Sequence, residues 1–200
     1  MADHQDLAIV NAELLDPATG RQERGALLLR GGLIADVSWG KPAPQPPEGA
    51  ASLDARGLLL APGLVDLRAF LGEPGAEFRE TLGTGSQAAA AGGVTTIVCR
   101  PDTDPPIDDP AIIDFLKRRA RDKAIVNVLP CAALSKGILG REITEFGLLL
   151  EAGAVAFGDG AKAVRNPQLM RRAMIYGRDF DALIMNHVED PDLRGSGVMN

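Results

Sequence analysis

Ala61-Pro-Gly-Leu-Val-Asp-Leu-Arg-Ala-Phe-Leu-Gly-Glu-Pro-Gly75 is the stretch on which the fold is decided. Pro62-Gly63 makes a turn, Leu64 to Phe70 is an apolar run of strand length, and Gly72-Glu-Pro-Gly75 opens a polar loop. Side chains alternate along a strand, so Asp66, Arg68 and Phe70 share one face. That face carries a permanent cation and a ring without a lone pair, and neither binds a metal ion.

Downstream of this strand the pattern repeats. Strand-like apolar runs begin near Gly63, Val94, Ala124, Ala154 and Ala182, at intervals of 31, 30, 30 and 28 residues. Between them lie helix-compatible segments: Glu80 to Ala91, Pro110 to Arg121, Glu142 to Ala152 and Pro167 to Arg178. Pro110 and Pro167 suit helix starts, and Gly92-Gly93 and Gly153 suit helix stops. Such a period fits an α/β fold, either a (β/α)8 TIM-type barrel or a doubly wound sheet. No Gly-x-Gly-x-x-Gly follows the first strand, which argues against a dinucleotide fold. Five βα units do not close a barrel, and three more need roughly 90 residues, so the reading is the N-terminal part of a longer barrel.

Upstream, residues 1–60 read as a small β-domain. Leu7 to Leu15 stops at Asp16-Pro17, and Ala26 to Arg30 and Leu33 to Ser38 flank the turn Gly31-Gly32. A proline-rich loop, Pro42 to Gly49, leads to Leu58-Leu-Leu60. Residues 61–200 form the second domain.

The net charge of −6 and pI near 5.0 exclude nucleic acid and an anionic membrane as the main partner. No window reaches 18 consecutive apolar residues and the N-terminus is polar, so neither a span nor a signal peptide is expected. Cys99 and Cys131 lie in apolar strand-like runs and read as buried free thiols, which places the protein in the cytoplasm.

Beyond Pro62 to Asp66, several motifs carry a family resemblance. They are Glu77-Phe-Arg-Glu-Thr81, Val94-Thr-Thr-Ile-Val-Cys-Arg-Pro-Asp-Thr103, Ala156-Phe-Gly-Asp-Gly160 and Met185-Asn-His-Val-Glu-Asp190. From Leu7 to Asn200 the chain resembles the dihydroorotases, cyclic amidohydrolases of pyrimidine biosynthesis. The resemblance implies a TIM-type barrel with a small β-sandwich-like domain, residues 1–60 forming part of the composite sandwich. Members use one or two zinc ions at the C-terminal mouth of the barrel to activate water and polarise a ring amide.

In that family the first barrel strand ends His-x-His-Leu-Arg, two zinc ligands and an arginine for the substrate carboxylate. Here the positions hold Arg68, Ala69, Phe70, Leu71 and Gly72. The resemblance places Asp159 and His187 at residual metal-ligand positions, and Asp102 at the vestigial substrate position where an asparagine is usual. No catalytic residue is assigned within the chain, since the proton-shuttling Asp comes late in the family. By the residues alone, His187 reads as a hydrogen-bonded structural histidine, Asp159-Gly160 as a turn, and Lys162 as a solvated lysine rather than a carbamylated bridge. Losing an arginine at Gly72 and gaining a carboxylate at Asp102 is hostile to a dianionic substrate.

Three functions compete: a non-catalytic subunit partnering the catalytic subunit of aspartate transcarbamoylase in an oligomer, an active zinc-dependent amidohydrolase, and a small-molecule binding module. The first needs no cofactor and the second needs zinc. A carboxylate that has lost its cation needs a replacement. The expectation is therefore that the Arg68 guanidinium pairs with Asp159, or with Asp66, with His187 close by and Phe70 packed over the old metal position.

Overall fold

The computed structural model describes residues 6–41, 49–195 and 197. His4 and most of the Pro42–Gly49 loop lie outside the described residues. The chain divides into two compact units, Met1–Pro62 and Gly63–Asn200.

The first unit is a five-stranded sheet. β1 (Leu7–Asp16), β2 (Arg21–Arg30) and β3 (Leu33–Trp39) form an antiparallel meander, β2 and β3 turning at Gly31-Gly32. β4 (Ala51–Asp54) and the short β5 (Leu59–Leu60) both pair with β1 in parallel. β4 was not anticipated: only four residues long, it has too little periodicity to stand out. The described residues of this unit form one sheet, not two packed sheets. Its core is Ile9, Ala12, Leu14 and Ala55.

The second unit is a curled parallel sheet in the order β6 (Leu64–Ala69), β7 (Val94–Cys99), β8 (Asn127–Ala133) and β9 (Ala156–Gly158). Every neighbouring pair is parallel. The connections carry α1 (Leu82–Ala91), α2 (Pro110–Lys123) and α3 (Phe146–Ala152), and α4 (Pro167–Arg178) follows β9. Local chemistry starts each long helix. Thr81 and Thr84 form a reciprocal capping box on α1. Asp109 caps α2 ahead of Pro110, and Asn166 caps α4 ahead of Pro167. On α2, Ile113, Leu116 and Ala120 face inward at helical spacing. The core gathers Leu82, Ile97, Leu134 and Leu169 around Phe146 and Phe157, whose rings stack with centroids 4.0 Å apart.

Several bounds differ from expectation: β2 begins five residues earlier, at Arg21, α1 starts at Leu82 and β8 at Asn127, and two elements of the second unit change more. α3 starts at Phe146, not Glu142, because Ile143 instead bridges antiparallel to Ser135. The fifth strand, expected near Ala182, is reduced to one parallel bridge between Ile184 and Phe157. Phe157 N donates to Leu183 O at 2.8 Å and Met185 N to Phe157 O at 2.8 Å. The next residue, Asn186, turns its side chain to Val164 N, and the ladder goes no further. Among the described residues no helix is long and apolar enough to cross a membrane. Cys99 and Cys131 are buried free thiols, both pushed up to about 12 by burial and therefore inert.

Candidate functional site

The C-terminal ends of the four strands and the bridge bring Arg68, Arg100, Ser135, Asp159 and His187 to one side of the sheet, where barrel enzymes keep their chemistry. Arg68 leaves the end of β6. Its Nη2 donates to Gly160 O at 3.1 Å and contacts His187 Nδ1 at 3.2 Å. A guanidinium only donates, so Nδ1 accepts and the imidazole proton sits on Nε2. That nitrogen is 3.1 Å from Glu189 Oε2, and Glu189 Oε1 forms an ion pair with Arg194 Nε at 3.2 Å.

Asp159 ends β9 in a buried position. Its Oδ1 accepts from Ser135 N at 2.9 Å and its Oδ2 from Ser135 Oγ at 2.6 Å. The Ser135 hydroxyl also accepts from Gly140 N at 2.9 Å. Burial raises the Asp159 carboxyl above its ordinary value, against the pull of these hydrogen bonds and of Lys162. The expected Arg68–Asp159 pair is thus not formed. The end of β8 supplies its own donors to the carboxylate, and the guanidinium goes to the histidine and a carbonyl. Asp66 accepts from the Arg68 backbone N at 2.9 Å, not from its side chain. Arg68 and His187 do come together as expected.

The Phe70 ring meets two guanidiniums, with Arg79 4.6 Å and Arg100 5.4 Å from its centroid. The ring's negative face attracts both cations. Arg100 in turn holds Asp102: Nε donates to Oδ1 at 2.9 Å and a second guanidinium nitrogen contacts Oδ2. Burial alone would raise the Asp102 pKa, but this partner outweighs it and holds the carboxyl below the ordinary range. Asp102 packs on Gly160, so all three candidate positions and Arg68 border one region.

Gly72 shows more than a missing side chain. Its φ is +52°, and a Cβ there would fall 2.5 Å from Glu80 O and 2.6 Å from Ala76 O. The loop closes over the position where the resemblance expects arginine, and no side chain fits without moving that loop.

Among the described residues the donors do not by themselves assemble a zinc site. Both nitrogens of His187 and both oxygens of Asp159 are engaged in protein hydrogen bonds. A cation and a phenyl ring stand at the other two positions. Among the described residues no group of three or more His, Cys, Asp or Glu side chains is placed to hold a metal ion. Ser135 had no sequence signal, since it follows a buried apolar run, and Arg79 was noted only as part of the Glu77-Phe-Arg-Glu-Thr81 motif, with no role of its own.

The raised Asp159 carboxyl gives a signed prediction. The folded state holds this proton more firmly than the unfolded chain does. Its contribution is therefore full below the ordinary value of 3.8 and is lost as pH rises through the folded value. Asp159→Asn should remove that loss. Urea midpoints measured from about pH 4 to pH 7 should fall less steeply for the variant than for the parent. A variant that falls more steeply would contradict the assignment.

The curled parallel half-barrel with its site at the strand ends defines an α/β barrel of the hydantoinase and dihydroorotase type. An L-hydantoinase (dihydropyrimidinase) from Arthrobacter aurescens superposes with a TM-score of 0.78 at 21% identity, over 94% of this chain and 41% of that one. The profile of the "Dihydro-orotase-like" family matches residues 57–200. The chain is 40% identical to the dihydroorotase of Citrifermentans bemidjiense over 98% of its own length and 45% of the relative's. It is 41% identical to that of Pelobacter propionicus over 98% and 45%. The chain belongs to the dihydroorotase-like family, and it spans about 45% of the length of these relatives.

Proposed function

We propose that the chain belongs to a non-catalytic dihydroorotase-like protein of pyrimidine biosynthesis. It serves the catalytic subunit of aspartate transcarbamoylase as a structural partner within an oligomer. One observation carries this reading: Arg68 donates to Gly160 O at 3.1 Å and lies 3.2 Å from His187 Nδ1. A fixed positive charge bound to the retained histidine supplies the charge a divalent ion would bring, without its Lewis acidity. The closed backbone at Gly72 supports the same reading, since it denies a substrate carboxylate its anchoring cation. Two buried free thiols support a reducing, cytoplasmic compartment.

A second reading is an active hydrolase. It is favoured by the 40% identity to a curated dihydroorotase and by the retention of Asp159 and His187. Elemental analysis of the purified protein after exhaustive dialysis separates the two. Zinc well below one per chain, no ring hydrolysis and co-sedimentation with the aspartate transcarbamoylase catalytic subunit are expected. Stoichiometric zinc with ring hydrolysis would replace the proposal by the second reading, and failure to co-sediment would remove the partner.

A further inference from the structure

α4 buries Leu169, Ala173 and Gly177 and leaves its other side in solvent. On that open side Arg172, Ile175 and Asp179 stand at i, i+3 and i+7, so they form one row along the helix. The backbone at Asp179 is still right-handed helical, at φ −69° and ψ −14°, so the row runs unbroken to the end of the helix. Arg171 and Met174 flank it, and Asp181 follows two residues on. Met174 is 60% and Ile175 51% exposed. A solvated helix face carries charges, whereas two adjacent large apolar side chains in its middle are what an interface uses, where methionine and arginine are enriched.

The order of the charges is the second observation. The basic pair Arg171 and Arg172 comes first, the apolar pair Met174 and Ile175 sits in the middle, and the acids Asp179 and Asp181 close the row. Arg172 and Asp179 lie seven residues apart, about 10.5 Å along the axis, too far to pair within one helix. None of these four charges is in an ion pair among the described residues. Ile175 stands within one residue of the midpoint between Arg172 and Asp179. A second α4 laid antiparallel across an axis at Ile175 therefore brings Arg172 of each copy opposite Asp179 of the other. The face is complementary to itself, which is what a two-fold interface requires. Arg178 adds one cation to the acidic half, against two carboxylates.

We propose that this face of α4 docks a second copy of the chain, antiparallel across a two-fold axis at Ile175. Met174 and Ile175 meet at the centre, and Arg–Asp pairs close both ends. A helix of 12 residues is about 18 Å long, and one such pairing covers less than the about 1,200 Å² of a firm interface. The dimer is therefore weak and depends on concentration. The inference goes beyond the partner proposed above and does not depend on it, since no residue of the strand-end site takes part.

Sedimentation velocity of the purified protein over a concentration series up to about 1 mM tests it. The parent should pass from monomer to dimer. Arg171→Glu with Arg172→Glu sets acids opposite acids, and Asp179→Lys sets a cation opposite Arg172. Each variant alone should associate about tenfold more weakly, with circular dichroism confirming its fold. Asp181 is left unchanged because its φ of +52° suits an aspartate. Mixed in equal amounts, the two variants should recover most of the parent's association, since each altered end then meets its opposite charge. A parent that stays monomeric throughout the series overturns the proposal. So does a dimer that neither variant weakens, or a mixture that associates no better than its components.

Discussion

Glu73→Ala should destabilise the second unit by about 3 kcal/mol, from loss of a buried carboxylate and the orphaning of a helix-terminal amide. Glu73 is 3% exposed in the loop that follows β6. Its Oε1 accepts from Arg119 Nε at 2.7 Å and lies 2.6 Å from a second guanidinium nitrogen, so the contact is a fork from α2. Its Oε2 accepts from Leu82 N at 3.0 Å, the first amide of α1. One side chain therefore joins the loop to the start of one helix and the middle of another.

The partners differ in what they lose. Arg119 is 44% exposed and turns to water when Glu73 is removed, so its share is small. Leu82 is fully buried, and its N–H is left without an acceptor, worth about 1–3 kcal/mol. Glu73→Gln keeps one acceptor and should cost about half as much as the alanine variant. Arg119→Ala should cost about 3 kcal/mol, because it strands the charge in the buried place. Urea unfolding of the three variants at neutral pH decides it. If all three stay within about 0.5 kcal/mol of the parent, Glu73 is a spectator. The expected loss has a further consequence, since the same loop carries Gly72 and closes the position of the absent arginine.

The barrel was legible because its signals are local and repeated. α4 keeps both sequence-derived ends, since Pro167 starts it and its chemistry is complete within one segment. α3 lost its first turn to a pairing between Ser135 and Ile143, which no local pattern encodes. The same division holds at the site. Arg68 and His187 were foreseen together because both stand at strand ends on one side of a parallel sheet. The partner of Asp159 was not foreseen. Burial demanded a donor, and the nearest cation in the argument was Arg68, but a serine hydroxyl and its own amide sit closer. Phe70 was assigned by the ligand it replaces, and the two arginines from different segments that meet its ring were not foreseen.

Gly160→Ala should cost about 2–4 kcal/mol, by forcing a side chain into a left-handed backbone against a fixed neighbour. Gly160 has φ +64°, and an added Cβ would fall 2.3 Å from Asp102 Oδ1. Asp102 has little freedom to retreat, because Arg100 grips both of its oxygens and itself lies beside the Phe70 ring. Strain and collision are separable by a second substitution. With Asp102→Gly in the background the collision with that side chain is gone, and Gly160→Ala should then cost only the backbone share, about 1–2 kcal/mol. The carbonyl of Gly160 is also the acceptor for Arg68, so a shifted backbone should loosen the guanidinium from His187. That change is read separately, as a move of the His187 Nδ1 resonance toward the value of an imidazole nitrogen with no donor against it. Equal costs of Gly160→Ala in the two backgrounds would show that Asp102 does not hold this turn, and an unmoved His187 resonance would show that Arg68 is anchored without Gly160.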